Sequence, residues 1–150
     1  MKEKLLVSSC LLGKNCKYNG KNNYQPNIEN LHLYYDIYEV CPEVDGGLPT
    51  PRDPSEIIGD KVMSIKGNDN TPFYNKGALH ALEVCKKYNI KKALLKQKSP
   101  SCGSKIIYDG TFTSTVIKGD GVTSKLLKDN GIEVFDEDDI EQLIWNKKNN

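Results

Sequence analysis

Short apolar runs alternate along the chain with longer segments whose apolar residues recur at helical spacing. Four of these runs predict strands: KLLVSS at residues 4–9, IYEVCPE from residue 37, KKALLKQ from residue 91 and IEVFDE at residues 132–137. The clearest predicted helix covers residues 71–88, and its apolar face consists of Ala78, Leu82, Cys85 and Tyr88. Further helices are predicted near residues 28–35, 119–131 and 138–148.

Helix boundaries are predicted from capping residues. Thr71 is the expected N-cap of the long helix, with Pro72 at its first helical position. Asp138 or Asp139 is the expected cap of the last helix. We therefore expect helices that begin directly after these residues.

The remaining segments predict a small β-hairpin and one irregular stretch. In residues 105–119 apolar and polar residues alternate on either side of a turn, which is typical of a hairpin. A weak strand is also expected at residues 61–66. GGLPTPRDPSE at residues 46–56 contains three prolines and is expected to be irregular. Because strands and helices alternate elsewhere, we predict one α/β domain over residues 1–150, a mainly parallel, Rossmann-like sheet flanked by helices.

Composition narrows the class of protein. Of the 150 residues, 37% are hydrophobic and 27% charged, with a net charge of +1, which is typical of a soluble globular domain. This balance indicates neither a nucleic-acid nor a membrane surface. The N-terminal apolar stretch is too short for a signal peptide. We therefore expect a cytoplasmic protein, whose five cysteines are not structural disulfides.

Three of these cysteines follow predicted strands. Cys10 comes directly after the first strand, Cys41 lies at the end of the second, and Cys102 lies a few residues after the third. Ligands of parallel α/β sheets bind beyond the carboxyl ends of the strands. A single cysteine would most simply be a small buried residue, but three at equivalent strand ends predict a metal site.

The residues alone leave the metal open. Zinc would need a fourth ligand, and the two histidines both lie in predicted helices. Cys16 could supply a fourth thiolate, although its spacing of six from Cys10 matches neither a zinc knuckle nor a ferredoxin motif. Cys85 lies on the apolar face of the long helix and is assigned to the core.

Several motifs resemble one family across nearly the whole chain. They are CLLGKNCKYNG, CPEVDGGLPTPR, SPSCG, IYDGTF and GDGVTSKLL, in this order. The sequence is similar to the thiouracil desulfurase family. That resemblance implies a 4Fe–4S cluster held by Cys10, Cys41 and Cys102, with the fourth iron free to bind substrate sulfur. It also implies that Glu43 and Ser99 are the catalytic pair.

Departures from the family pattern are few. Lys17 stands where arginine is usual, Asn19 replaces an aspartate, and Asp45 adds a charge beside the site. Some members carry a second domain suited to RNA-linked substrates, which this sequence lacks. The resemblance therefore implies a free thiolated base or nucleotide, such as thiouracil or 4-thiouridine monophosphate, rather than tRNA.

The mechanism that we predict is non-redox desulfuration, in which water replaces sulfur on the ring carbon and sulfide leaves. The open iron would act as a Lewis acid, and Glu43, two residues from a ligand, as general base. Substrate contacts are predicted for Arg52 and, at the glycine-rich start of a helix, for Gly121 and Thr123. An iron–sulfur electron-transfer or redox-sensing protein and a zinc-binding structural module remain the alternatives.

Overall fold

The computed structural model describes residues 2–149. Its strands are β1 (Glu3–Ser8), β2 (Tyr35–Val40), β3 (Ser55–Ile58), β4 (Lys61–Ser64), β5 (Lys92–Leu94), β6 (Ile106–Tyr108), β7 (Val116–Lys118) and β8 (Glu133–Phe135). Its α-helices are α1 (Pro42–Asp45), α2 (Thr71–Tyr88), α3 (Val122–Asp129) and α4 (Ile140–Lys148). Three 3-10 helices lie at Ser9–Leu12, Pro26–Leu33 and Glu137–Asp139.

A four-stranded sheet in the order β2-β1-β5-β8 forms the centre of the fold. All of its strand pairs are parallel, and Leu5 of β1 lies in register with Ile37 of β2 and Lys92 of β5. The predicted α/β class with a mainly parallel sheet is confirmed. Since β2, β1 and β5 are neighbours, their carboxyl ends meet at one edge of the sheet.

Helices cover both faces of this sheet. On one face Leu6 and Ala93 pack with residues of α2 and α3, including Leu82, Cys85 and Leu127. On the other, Leu5 and Leu94 pack with α4 and the 3-10 helix Pro26–Leu33 through Ile28, Leu31, Ile140 and Leu143. Successive strand residues point to opposite faces, so the continuous apolar run of β1 supplies both cores.

Two antiparallel hairpins lie outside the sheet, and only the second was predicted. β3 pairs with β4 and β6 with β7, and β3 also contacts β6. The sequence analysis placed Ser55 and Glu56 in an irregular segment, but the proline-rich part ends at Pro54 and β3 begins at once. Gly59, with φ of +63°, forms the short turn to β4, and this Gly-Asp pair was the overlooked sequence signal.

The local predictions were otherwise close, with corrections at the boundaries. The helix expected at residues 28–35 is the 3-10 helix Pro26–Leu33, and the strand expected from residue 37 begins at Tyr35. The predicted segment IYEVCPE is divided in the structure, because β2 ends at Val40 and Pro42 opens the short helix α1. Pro fits the first helical turn, where an N–H would be unpaired in any case.

The predicted cap of α2 was wrong, since Asn70 and not Thr71 is its N-cap, whereas Asp139, one of the two residues predicted for the last helix, is the N-cap of α4. Thr71 is the first residue of α2, and its Oγ1 accepts a hydrogen bond from the N–H of Val62 on β4. The capping bonds before α4 join Asp136 and Asp139 around the preceding 3-10 turn. Asp139 precedes α4, but its side chain makes no capping bond to that helix. Within residues 2–149, no helix is both long and apolar enough to cross a bilayer.

Candidate active site

A cavity of about 410 Å³ lies beyond the carboxyl ends of β1, β2 and β5, and the three predicted ligand cysteines all line it. Cys10 lies on the 3-10 helix that follows β1, and Cys41 separates β2 from α1. Cys102 belongs to the loop between β5 and β6. The sheet therefore brings together three thiols that are far apart in sequence, as the strand-end argument predicts.

Each of these sulfurs has a polar side chain beside it. The Ser8 hydroxyl donates to Cys102 Sγ at 3.6 Å and opposes the effect of burial, which raises the pKa of Cys102 well above its usual range. Cys41 Sγ donates to the Cys16 carbonyl at 3.9 Å, and a hydrogen bond with the Cys16 side chain lowers the pKa of Cys41. Burial raises the pKa of Cys10, and a hydrogen bond with Asn23 opposes that rise. Donors of this kind stabilise thiolates that bind a metal.

Cys16 and Cys85 differ in position. Cys16 also lines the cavity, and its hydrogen bond with Cys41 raises the pKa of the Cys16 thiol. It therefore contacts a predicted ligand, close to the site as expected. Cys85 is only 2% exposed and packs in the core between α2 and the sheet, which agrees with the sequence prediction.

The donor set fits a cluster better than a single ion. Among the described residues, no group of three His, Cys, Asp or Glu side chains is arranged to hold one metal ion. Zinc needs its ligands around a single point. In an iron–sulfur cluster each cysteine binds a different iron, and three thiols spaced around a cavity meet that requirement.

Glu43 is held firmly in the same cavity. Its Oε1 accepts hydrogen bonds from Arg52 Nε at 3.1 Å and from Tyr74 Oη at 2.9 Å, and its Oε2 accepts one from Ser99 Oγ at 3.3 Å. Burial and the adjacent Glu43 carboxylate raise the pKa of Tyr74, so its hydroxyl remains a donor. A carboxylate has about four acceptor positions. The one left on Oε2 is available to a water molecule.

Ser99 connects Glu43 to the loop that carries Cys102. Its Oγ accepts the N–H groups of Ser101 and Cys102, both at 3.0 Å, while its hydroxyl donates to Glu43. The side chain thus orders the SPSC turn and orients the carboxylate. Both predicted catalytic residues therefore lie in one hydrogen-bonded network.

The Arg52 guanidinium is hydrogen-bonded to several other groups of the protein. Besides Glu43, its guanidinium donates to the carbonyl groups of Pro49 at 3.1 Å and Cys16 at 3.0 Å, and to Thr50 Oγ1 at 3.1 Å. Its side chain is only 7% exposed. This geometry favours a positioning role, in which Arg52 joins the Cys16 loop to Glu43, over the predicted contact with a substrate anion.

Gly121 and Thr123 lie behind the cavity and are not among the residues that line it. The N–H of Gly121 donates to the carbonyl of Gly103, and the buried Thr123 hydroxyl hydrogen-bonds Ser101 Oγ at 2.8 Å. A Cβ on Gly121 would lie 2.4 Å from the Ser101 carbonyl oxygen. The start of α3 is therefore used to support the SPSCG turn, and its geometry does not favour phosphate binding.

Similarity to known proteins agrees with this site. Residues 5–139 match the family model described as 2-thiouracil desulfurase. The chain belongs to the 2-thiouracil desulfurase family. It is 40% identical to the uncharacterized protein YbbK of Bacillus subtilis (strain 168), over 93% of this chain and 99% of that protein. It is also similar to the solved structure of a [4Fe-4S]-dependent thiouracil desulfidase, TudS, with a TM-score of 0.90, 42% identity and 97% of each chain covered.

This membership confirms the resemblance, the α/β fold and the assignment to a class of desulfurase enzymes. The dependence on a 4Fe–4S cluster is a property of the similar structure. The roles of individual residues rest on the geometry of the cavity.

Two residues of the network were not predicted. Tyr74 lies four residues before Ala78 on the same face of α2, so the apolar stripe of that helix could have included it. Ser8 is a buried polar residue at the end of an apolar strand. Such an isolated hydroxyl at a strand end was the available signal.

Proposed function

We propose that this protein removes sulfur from a thiolated pyrimidine base such as thiouracil, on a 4Fe–4S cluster held by Cys10, Cys41 and Cys102, with one iron not bound by protein. The observation that carries the proposal is the convergence of these thiols with Glu43 in one cavity. When bound, such a cluster supplies a Lewis-acidic iron with an affinity for sulfur. Cys16 is proposed to be a neighbour of the cluster and not a ligand, because it lies on an irregular loop and not at a strand end, where its carbonyl accepts hydrogen bonds from Cys41 Sγ at 3.9 Å and from Arg52 at 3.0 Å.

The chain itself supplies the proton transfer. Arg52 and Tyr74 occupy Oε1 of Glu43, so Oε2 is the atom available to accept a proton from the attacking water. Overall, water and the thiocarbonyl give a carbonyl and hydrogen sulfide, and the carbon keeps its oxidation state. Ser99 orients Oε2 through its hydroxyl. A reaction of this kind needs no electron donor.

Small bases suit the cavity better than large substrates. Tyr108 and Phe112 form part of its lining, and aromatic residues at such positions can pack against a planar ring. For a nucleotide such as 4-thiouridine monophosphate, Lys17 and Lys98 are lining cations that could meet the phosphate, whereas Lys96 is paired with Glu137 at 2.7 Å. We propose no direct contact with tRNA. A reducing cytoplasm would suit the thiolate ligands.

Sulfide release under anaerobic conditions tests the proposal. Holo-protein, purified or reconstituted without oxygen, is incubated with 2-thiouracil, 4-thiouracil or 4-thiouridine monophosphate, and sulfide and the oxygen-containing product are measured. We expect both to appear in equal amounts without a reductant. A strict requirement for dithionite, or stoichiometric zinc in a colourless protein, would instead support one of the two alternatives.

A further inference from the structure

Glu56 is a buried carboxylate in the same cavity that the proton transfer does not use. It is the second residue of β3, only 7% exposed, and it lines the cavity. Its Oε1 accepts the backbone N–H groups of Gly110 at 2.9 Å and Phe112 at 3.2 Å. Its Oε2 accepts no hydrogen bond from any residue in the described range 2–149, and this atom keeps some solvent exposure, because Ser104 Oγ is the only fully buried side-chain N or O atom without a partner there.

No cation compensates this side chain. Glu56 takes part in none of the ion pairs formed within the described part of the chain. Burial of a carboxylate is costly unless its oxygens find donors. Anchoring the hairpin tip (residues 109–115) uses only Oε1, and a neutral amide could serve there equally well. Oε2 is therefore open to a donor that enters the cavity, which is water in the free protein and can be a ligand N–H in a complex.

We propose that Glu56 is the base-recognition residue of this enzyme, with Oε2 accepting a ring N–H of the thiolated pyrimidine. The proposal rests on the proposed function, because that function supplies the chemical class of the ligand. Uracil-type rings carry N–H donors beside their carbonyl or thiocarbonyl groups. A buried acceptor rejects an analogue that lacks the donor, since the acceptor is then left unpaired.

The Glu56 carboxylate that would bind the base also holds the backbone of Phe112, an aromatic residue that lines the cavity. Glu56 accepts the N–H of Phe112 at the hairpin tip, and Phe112 is one of the residues that line the cavity. Phe112 has a φ of +58°, in the left-handed region, so its backbone depends on such a contact. A base that donates to Oε2 would therefore lie near a residue whose backbone is held by Oε1.

Glu56→Gln separates recognition from anchoring. The amide oxygen can still accept from Gly110 and Phe112, whereas its NH₂ group meets the ring N–H donor to donor. We expect the affinity of the holo-protein for uracil, measured by equilibrium dialysis, and for thiouracil, from KM, to fall roughly 10- to 100-fold. The cluster spectrum and the melting temperature should stay at wild-type values. Glu83→Gln, an exposed carboxylate on α2, is the matched control.

N-methylated bases give a second measurement. Wild-type protein should bind the N1-methyl or the N3-methyl derivative of uracil more weakly than uracil, and Glu56→Gln should lose that preference for the same isomer. If Glu56→Gln bound uracil as tightly as wild type, or if its melting temperature fell as much as that of Glu56→Ala, the role of Glu56 would be only to hold the hairpin tip. Absence of uracil binding by wild-type protein would also overturn the proposal. Binding is measured without turnover, so a failure of the proposed reaction remains distinguishable.

Discussion

Replacing Glu43 separates a chemical role from an architectural one, because the two oxygens of its carboxylate have different partners. Glu43→Gln keeps an acceptor for Arg52 and Tyr74 at Oε1 and replaces the basic Oε2 by an NH₂ group. Glu43→Ala removes both oxygens. We expect the two variants to differ in stability and to agree in activity.

The stability difference follows from burial. Glu43 and Arg52 have side chains that are 17% and 7% exposed, so alanine leaves a buried guanidinium and the Tyr74 hydroxyl without their acceptor. Breaking a buried ion pair destabilises by about 3–5 kcal/mol. Arg52 keeps its bonds to Pro49, Thr50 and Cys16, which favours the lower end, about 3 kcal/mol. This corresponds to a melting temperature lowered by roughly 6–12 °C, against about 1 kcal/mol for glutamine.

The activity change follows from proton transfer. Loss of a general base lowers turnover roughly 100- to 10,000-fold, or about 3–5 kcal/mol of barrier, and this applies to both variants. Initial rates of anaerobic sulfide release are measured per cluster, with iron content determined for each preparation and thermal unfolding followed by circular dichroism. Glu83→Gln again serves as the control. A Glu43→Gln variant whose rate stays within about threefold of wild type would refute the base assignment, and Glu43 would then act only through the structure.

Further predictions concern the cluster ligands, the support of the SPSCG turn and a buried thiol. The wild-type protein should carry about four irons per chain, and an alanine variant of any one ligand should lose most of them. Cys16→Ser and Cys85→Ala should both retain the iron. Loss of iron in Cys16→Ser would indicate four protein ligands. The proposed ligands are Cys10, Cys41 and Cys102. Thr123→Val should lower the free energy of unfolding by about 1–3 kcal/mol, because it removes the partner of the buried Ser101 hydroxyl. If the variant instead kept its stability and showed a higher KM for a nucleotide substrate, Thr123 would be a phosphate-binding residue. Burial raises the pKa of Cys85 from 9.0 to about 11, so this thiol should lower wild-type stability by up to about 3 kcal/mol as the pH rises from about 9 to 11. Denaturation at both pH values should find a decline that is smaller by about this amount in Cys85→Ala.

Hydrophobic periodicity and the positions of the cysteines were enough to predict the architecture and the convergence of three thiols. Continuous apolar runs alternating with helical periodicity specify a parallel sheet covered on both faces, as the packing of β1 between two cores confirms. That topology fixes where strand ends meet. Thiols placed directly after β1 and β2, and soon after β5, therefore had to converge. The family motifs added Glu43 and Ser99 to that edge.

Tertiary structure alone decided which polar groups face the cavity and which support it. Anion binding was predicted for Arg52, Gly121 and Thr123 from their residue types. In the structure, all three form their hydrogen bonds with neighbouring loops. Glu56 follows a proline-rich stretch, and no sequence pattern distinguished it from a surface carboxylate. Local patterns report periodicity and turns within a few residues. The burial of a carboxylate and the free position on one of its oxygens depend instead on a hairpin tip more than 50 residues away.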